Sequence, residues 1–392
     1  FFFNDTAPTE IYTLSLHAAL PILAAGYRLM GWPVWGSGAE LNDVVSPEVT
    51  AGLGVVAPIL LGILLIGVGG SFVKPCISGT VQKTSIGQAT LGFAIFYMVI
   101  NIGSLLGRGA SYMVRTWGND LSLIFGVAAV SSLLALGIVV FVYRDPEAEL
   151  GLAPPRPRKT PVEILVGMVM VLRNVRFALF LLVSSGFFFL YAQVYNVLPL
   201  YLKRVVETNP AVDLYTMANP FVIVFFQLLV TRIFGKMRPI RSIIVGIVII
   251  AFAMVINLIP IFMAGGVRAT LLDWLPVGSI MVILTVAMVA FGELFTSART
   301  YEYIGALAPK GQEGLFLGYA NLPMAIGALI GGPAGAAIFN EIMAKDARVL
   351  DNGLLELDPV NNALGWVILM GIGLASAVSM ALYNRWIERN PA

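Results

Sequence analysis

Four ionisable side chains interrupt stretches that are otherwise apolar: Lys74 in LLIGVGGSFVKPCISG, Arg108 in INIGSLLGRGA, Glu293 in MVAFGELFTSA and, shortly after it, Arg299. A charge at the centre of a bilayer costs roughly 2.5–3.5 kcal/mol even on insertion scales, so each of these groups must reach water, meet a partner or carry chemistry. A buried carboxyl can load and release a proton. Lysine and arginine can hold a carboxylate, arginine in bidentate fashion and charged at any working pH.

The bland alternatives differ from residue to residue. Lys74 and Arg299 fall near predicted helix ends, where a long side chain can snorkel to the headgroups. Arg108 is either set into a rim of the bundle or placed to grip an anion. Glu293 has a short stem and a predicted span that continues about one turn beyond it, so a cavity is expected. Ser297 and Thr300, at i+4 and i+7, extend it into a polar stripe. Because burial and a nearby cation act in opposite senses on a carboxyl's proton affinity, loading of Glu293 can be linked to arrival of a solute.

Further polar groups lie at helical spacing. Asn101, Ser104 and Arg108 share one face, and in FLYAQVYN the residues Phe189, Gln193 and Asn196 share another, with Tyr195 beside it. Such amides either line a peptide-like ligand or glue helices together. Asn219, ahead of Pro220, is either a satisfied kink residue or a ligand contact. Gly67 and Gly70, two turns and one turn before Lys74, are expected to admit a neighbouring helix.

The elements that must position these groups follow from composition. With 58% hydrophobic and 12% charged residues, the chain reads as an all-α integral membrane protein. Predicted spans run over 52–74, 88–112, 121–143, 176–202, 213–234, 241–264, 275–298, 314–339 and 363–386, nine in all, with a short partial span at 22–36. A net charge of +2 gives no case for nucleic acid. The single cysteine, Cys76, and single histidine, His17, give none for a disulfide framework, a metal or another cofactor.

The segment YRDPEAELGLAPPRPRKTPVE separates two lobes. The expected division is a truncated N-terminal lobe at 23–143, a linker with an amphipathic helix at 144–174, and a six-helix lobe at 175–392. Lys and Arg crowd the loops on the linker's side, among them Lys83, Arg156, Arg158, Lys159, Arg238 and Arg385. The positive-inside rule therefore puts the linker and the C-terminus in the cytoplasm of a bacterial-type inner membrane. Residues 1–22 have no basic n-region and no small-residue cleavage site, and resemble translated sequencing-adapter read-through. They are expected to stand apart from the first lobe.

The lobes resemble each other. INIGSLLG at 100–107 matches MAIGALIG at 324–331, and Gly69 and Gly292 fall at nearly the same separation. Parallel repeats of this kind are a signature of the major facilitator fold, with the solute bound at mid-membrane.

GGSFVKPCISG, FYMVINIGSLLG, MANPFVIVF and FGELFTSARTYEYIGALAPKGQEGLFLG resemble, in order, the fourth, fifth, eighth and tenth-to-eleventh helices of the proton-coupled oligopeptide transporters. That resemblance implies twelve helices in an intact protein, a proton as the coupling ion and a peptide or related solute as the partner besides lipid. It implies that Lys74 takes part in proton coupling and holds the peptide's carboxyl end, that Asn101 contacts the bound peptide, and that Asn219 and Glu293 receive its amino terminus. The ExxERF motif of the family's first helix is absent, Ala192 stands at an acidic position beside Gln193, and Ala320 stands at a tryptophan position. Arg108 occupies a place that is usually uncharged in the family.

The leading expectation is a proton-coupled symporter of a small peptide or a related zwitterionic or anionic solute, working by alternating access. Its substrate-binding residues are Lys74, Asn101, Arg108, Gln193, Asn219 and Glu293, with Glu293 and Lys74 coupling the proton. A major facilitator transporter of a non-peptide solute is the alternative within the fold. Outside it stand a membrane-embedded enzyme, for which Glu293 is the one acid inside the spans, and a scaffold, which needs no polar stripes.

Overall fold

Apolar runs that cross a bilayer must satisfy their backbone groups internally, and the chain does so as helices. The computed structural model describes residues 10–37, 53–85, 87–117, 122–143, 161–271, 275–309 and 312–390. The principal helices are α1 (Glu10–Ser37), α2 (Leu53–Thr84), α3 (Ala89–Trp117), α4 (Leu123–Phe141), α5 (Pro161–Leu172) and α6 (Val175–Ala192). They continue as α7 (Ala218–Phe234), α8 (Pro239–Met254), α9 (Val277–Leu307), α10 (Leu322–Ala337) and α11 (Pro359–Arg389).

Among the described residues, nine helical segments are long and apolar enough to cross a membrane, in register with the nine expected spans. Short turns extend several of them, so that α6 belongs to a span Val175–Val206 and α7 to a span Val212–Phe234. Local chemistry sets the ends: the Asn174 side chain accepts from the Phe177 amide to start α6, and Asp358 accepts from the Val360 and Asn361 amides ahead of Pro359 to start α11. Large apolar side chains such as Leu60, Leu134, Phe141, Phe225 and Leu329 stand exposed, as lipid-facing positions should.

The chain divides into two compact units. One comprises Phe1–Ile86, Gly109–Met168 and Ala308–Gly318; the other comprises Gly87–Arg108, Val169–Leu307 and Tyr319–Ala392. This differs from the division expected at 143 and 175, because the first two-thirds of α3 associates with the later helices and a short segment after α9 associates with the earlier ones. The linker's residues 144–160 lie outside the described ones, while the expected amphipathic helix is α5.

In the first unit α1 packs along α2 and α4. The helix starts at Glu10, well before the expected position 22, and Leu16, Ala19 and Leu20 are buried. Residues 16–20 therefore do not stand apart in packing, contrary to expectation. Close approach comes from small residues: a Cβ on Gly62 would lie 2.9 Å from the Gly26 carbonyl oxygen, and one on Gly69 would lie 2.9 Å from that of Ala19. Gly67 and Gly70, expected to do this, have open space beside them. The Trp35 indole donates to Ser122 Oγ at 2.7 Å, tying α1 to the start of α4.

The second unit is built around α9, which carries buried residues along its length and is continuously buried from Gly292 to Tyr301. Its Gly292 repeats the packing of Gly69: a Cβ there would meet the Gly246 carbonyl oxygen at 2.7 Å and Ile250, as one on Gly69 would meet Ala19 and Leu23. Thus α1 and α2 in one unit pack as α8 and α9 do in the other, which is the internal repeat expressed as geometry. Phe93 stacks on Tyr301 at 6.0 Å and Phe96 meets the same ring edge-on at 5.7 Å, fastening α3 to α9.

Candidate functional site

With Gly292 turned to α8, the next residue, Glu293, is carried to another face of α9. Its side chain is only 3% exposed. Three hydroxyl and amide groups donate to it: Tyr97 Oη on α3 and Ser297 Oγ one turn along α9 (3.4 Å) to Oε1, and Asn219 Nδ2 at the start of α7 to Oε2 (2.8 Å). Asn219 and Ser297 are themselves buried. The neighbouring apolar cluster of Ile223, Val230, Ala290, Leu294 and Phe295 packs against Tyr97, so the carboxylate sits beside a dry wall.

Asn101 lies one turn from Tyr97, 6% exposed, and its Nδ2 donates to the Tyr97 carbonyl at 2.9 Å. The structure thus brings Asn101, Asn219 and Glu293 into one neighbourhood, together with Tyr97. The sequence reading did not name Tyr97, although it precedes Asn101 by four residues on the face already marked by Asn101, Ser104 and Arg108.

Arg108 ends the same stripe. Its Nη1 donates to Thr216 Oγ1 at 2.6 Å and its Nη2 to Tyr195 Oη at 2.9 Å, and the guanidinium carbon lies 5.5 Å from the centre of the Tyr195 ring. Tyr195 Oη is in turn 3.2 Å from Tyr191 Oη. Arg108 is thus held in a hydroxyl-lined setting.

Gln193 is placed elsewhere. The helical face expected for Phe189, Gln193 and Asn196 is broken, because α6 ends at Ala192 and residues 193–196 form turns. Gln193 is fully buried, and its Nε2 donates to the carbonyls of Phe189 (2.8 Å) and Gly331 (3.1 Å). A Cβ on Gly335 would collide with its Oε1. The amide joins α6 to the glycine face of α10, which is the helix-packing alternative.

Lys74 lies in the first unit, half-buried, and α2 continues for ten residues beyond it to Thr84. It is therefore not at a helix end. Arg299 is also not a snorkelling residue. Only 6% exposed, it pairs with Glu302 Oε2 at 2.6 Å, donates to Thr90 Oγ1 at 3.0 Å, and donates to the Phe234 and Gly235 carbonyls at 3.1 and 2.8 Å. A cation on the open carbonyls at the end of α7 satisfies groups the helix cannot satisfy itself.

Among the described residues no cluster of His, Cys, Asp and Glu is arranged to hold a metal ion. The arrangement suits a reversible proton site at Glu293 and recognition of a polar solute by donors around it.

Comparison with known proteins gives one family match, described as Major Facilitator Superfamily, over residues 49–331. A stretch of 98 residues is 34% identical to Solute carrier family 15 member 1 of Oryctolagus cuniculus, covering 22% of this chain and 14% of that relative. Two solved structures share the fold at a TM-score of 0.61. A mutant of the peptide transporter POT in complex with alafosfalin is 17% identical, with 95% of this chain and 80% of that chain covered. A D-xylose-proton symporter is 16% identical, with 94% and 80% covered.

Proposed function

Because the chain belongs to the major facilitator superfamily, a family of multi-pass membrane transporters and not of enzymes, we propose that it moves a small zwitterionic solute, a short peptide foremost, together with a proton. The family match displaces the membrane-embedded enzyme and the scaffold weighed from sequence. In this reading it works by alternating access in a bacterial-type inner membrane, with the C-terminus cytoplasmic and the proton in place of any cofactor.

The observation that carries the proposal is the setting of Glu293: a carboxylate, 3% exposed within an apolar span, held by Tyr97, Asn219 and Ser297 from three helices. Donors converging from α3, α7 and α9 fix the carboxyl in an apolar setting, where it can carry a proton or meet an ammonium group. Asn219 and Asn101 are assigned to the same ligand-facing group, and Gln193 to packing. Lys74 is kept as a proton-coupling residue on the strength of the sequence.

Uptake of labelled dialanine into proteoliposomes under an inward proton gradient tests this reading. Accumulation that collapses with a protonophore supports it. Accumulation of a sugar but not of any peptide replaces the peptide with the non-peptide alternative, and accumulation indifferent to the proton gradient removes the coupling.

A further inference from the structure

Resting on the reading of Glu293 as the pole for a solute's ammonium group, we infer that Arg108 is the pole for its carboxylate, so that one compact unit holds both ends of a short zwitterion. Arg108 is oriented without being neutralised. Its recorded contacts are the hydroxyls of Thr216 and Tyr195 and the face of the Tyr195 ring, while its Nε is buried with no hydrogen-bond partner. Among the described residues no carboxylate touches it. A buried N–H of a permanently charged group is a costly thing to leave open. The guanidinium fork is thus fixed in place with an edge unfilled, and the acceptor that matches such an edge is a planar carboxylate.

The two poles are tied to one turn of helix. Thr216, which touches Arg108, and Asn219, which touches Glu293, are three residues apart in the span Val212–Phe234. Side chains so placed have Cβ atoms about 5–6 Å apart, and adding the reach of each contact sets the charged groups on the order of 10 Å apart. The other connection agrees. Tyr97 and Arg108 are three turns apart on α3, about 16 Å of rise, and an arginine leaning back toward the helix N-terminus shortens that distance. An extended dipeptide or tripeptide spans about 7–10 Å, whereas a single amino acid cannot bridge the poles. Both poles lie in the unit that contains Gly87–Arg108 and Val169–Leu307.

The test uses the purified full chain and calorimetric binding of three probes: L-alanyl-L-alanine, its C-terminal amide, and L-alanine. The expected result is a preference for the dipeptide over both others of at least about tenfold, the weight of one charge-assisted contact. Arg108→Gln should erase the preference over the amide, and Arg108→Lys should restore part of it, because the charge survives and the fork does not. Tyr195→Phe, which frees one side of the guanidinium without removing it, should weaken the preference even if Arg108→Gln fails to fold. Arg238→Gln, a matched charge removal at an exposed pair with Glu388, should leave it intact. A preference that survives in Arg108→Gln, or that is lost in Lys74→Gln while Arg108→Gln retains it, overturns the assignment and leaves the ammonium pole standing. Equal binding of dipeptide and amide by the unaltered protein does the same. Failure of the unaltered protein to bind any of the three overturns the underlying zwitterion reading along with it.

Discussion

Tyr97 on α3 donates its hydroxyl to the Oε1 of Glu293 on α9, and the same α3 face carries Thr90 to Glu302 at 2.7 Å and Phe93 onto Tyr301. Moving along α3 from Thr90 to Tyr97 therefore means moving backwards along α9 from Glu302 to Glu293, so the two helices form an antiparallel seam. The acid is one station on that seam, and a change in its protonation acts directly on the contact between α3 and α9.

Tyr97→Phe tests that relation. The ring still packs, so the seam should persist, but Glu293 loses a donor of the kind worth about 1.5–3 kcal/mol when its acceptor is charged. Proton-driven uptake should slow, and its pH profile should move relative to the unaltered protein. A profile and rate that both match the parent would mean that the hydroxyl only fills space.

Glu293→Gln separates coupling from binding. The amide keeps the size of the side chain and can still meet Asn219 and Ser297, yet it cannot carry a proton. Accumulation against a gradient should vanish and uptake should lose its pH dependence, whereas counterflow of labelled solute, which needs no net gradient, should continue. Concentrative uptake by the variant with an ordinary pH profile would assign Glu293 a structural role.

Gly246→Ala addresses how α9 is held. A Cβ there would collide with Thr296 Oγ1 and the Gly292 carbonyl oxygen, and backbone cannot swing aside as a side chain can. Overpacking of this kind costs about 1–3 kcal/mol. The unfolding midpoint in detergent should fall, and solute affinity with it, since Gly292 sets the face on which Glu293 emerges. Gly371→Ala on α11 has open space and should be neutral, or stabilising by up to about 1 kcal/mol through helix propensity. Equal effects of the two substitutions would show that the α8–α9 approach is not tight.

What was legible in the sequence is what one helix can show by itself. Hydropathy marked the spans, because lipid imposes the same requirement on every turn. The cost of a charge in hydrocarbon singled out Glu293, and spacing placed Asn101 on the face that also holds Tyr97. Partners supplied by other helices were not legible. Gln193 reads equally as ligand contact or helix glue until Gly331 and Gly335 are seen against it. Gly67 and Gly70 looked as permissive as Gly62 and Gly69, and only the neighbouring backbone of α1 chose between them. The packing of residues 16–20 was missed for the same reason: the segment's composition is atypical of a span, and its burial depends on α2 and α4.

Arg299 gives the sharpest stability test, because sequence position favoured snorkelling and the structure gives it four partners. Its pair with Glu302 is enclosed, the two side chains being 7% and 17% exposed, and the same guanidinium covers the carbonyls of Phe234 and Gly235 where α7 ends. Arg299→Ala leaves Glu302 short of its cation and exposes two carbonyls to a dry environment, a loss on the order of 3–5 kcal/mol. Glu302→Gln should cost less, since the amide oxygen can still accept from Arg299 while the amide nitrogen can donate to the Thr90 hydroxyl, and the remaining bonds of Arg299 to α7 are untouched. The order of unfolding midpoints is therefore unaltered protein, then Glu302→Gln, then Arg299→Ala, and high salt should not close the gaps, because screening reaches enclosed pairs poorly. A midpoint for Arg299→Ala within experimental error of the parent would return Arg299 to the headgroup region and dissolve the proposed fastening of α7, α9 and α3 at this end of the unit.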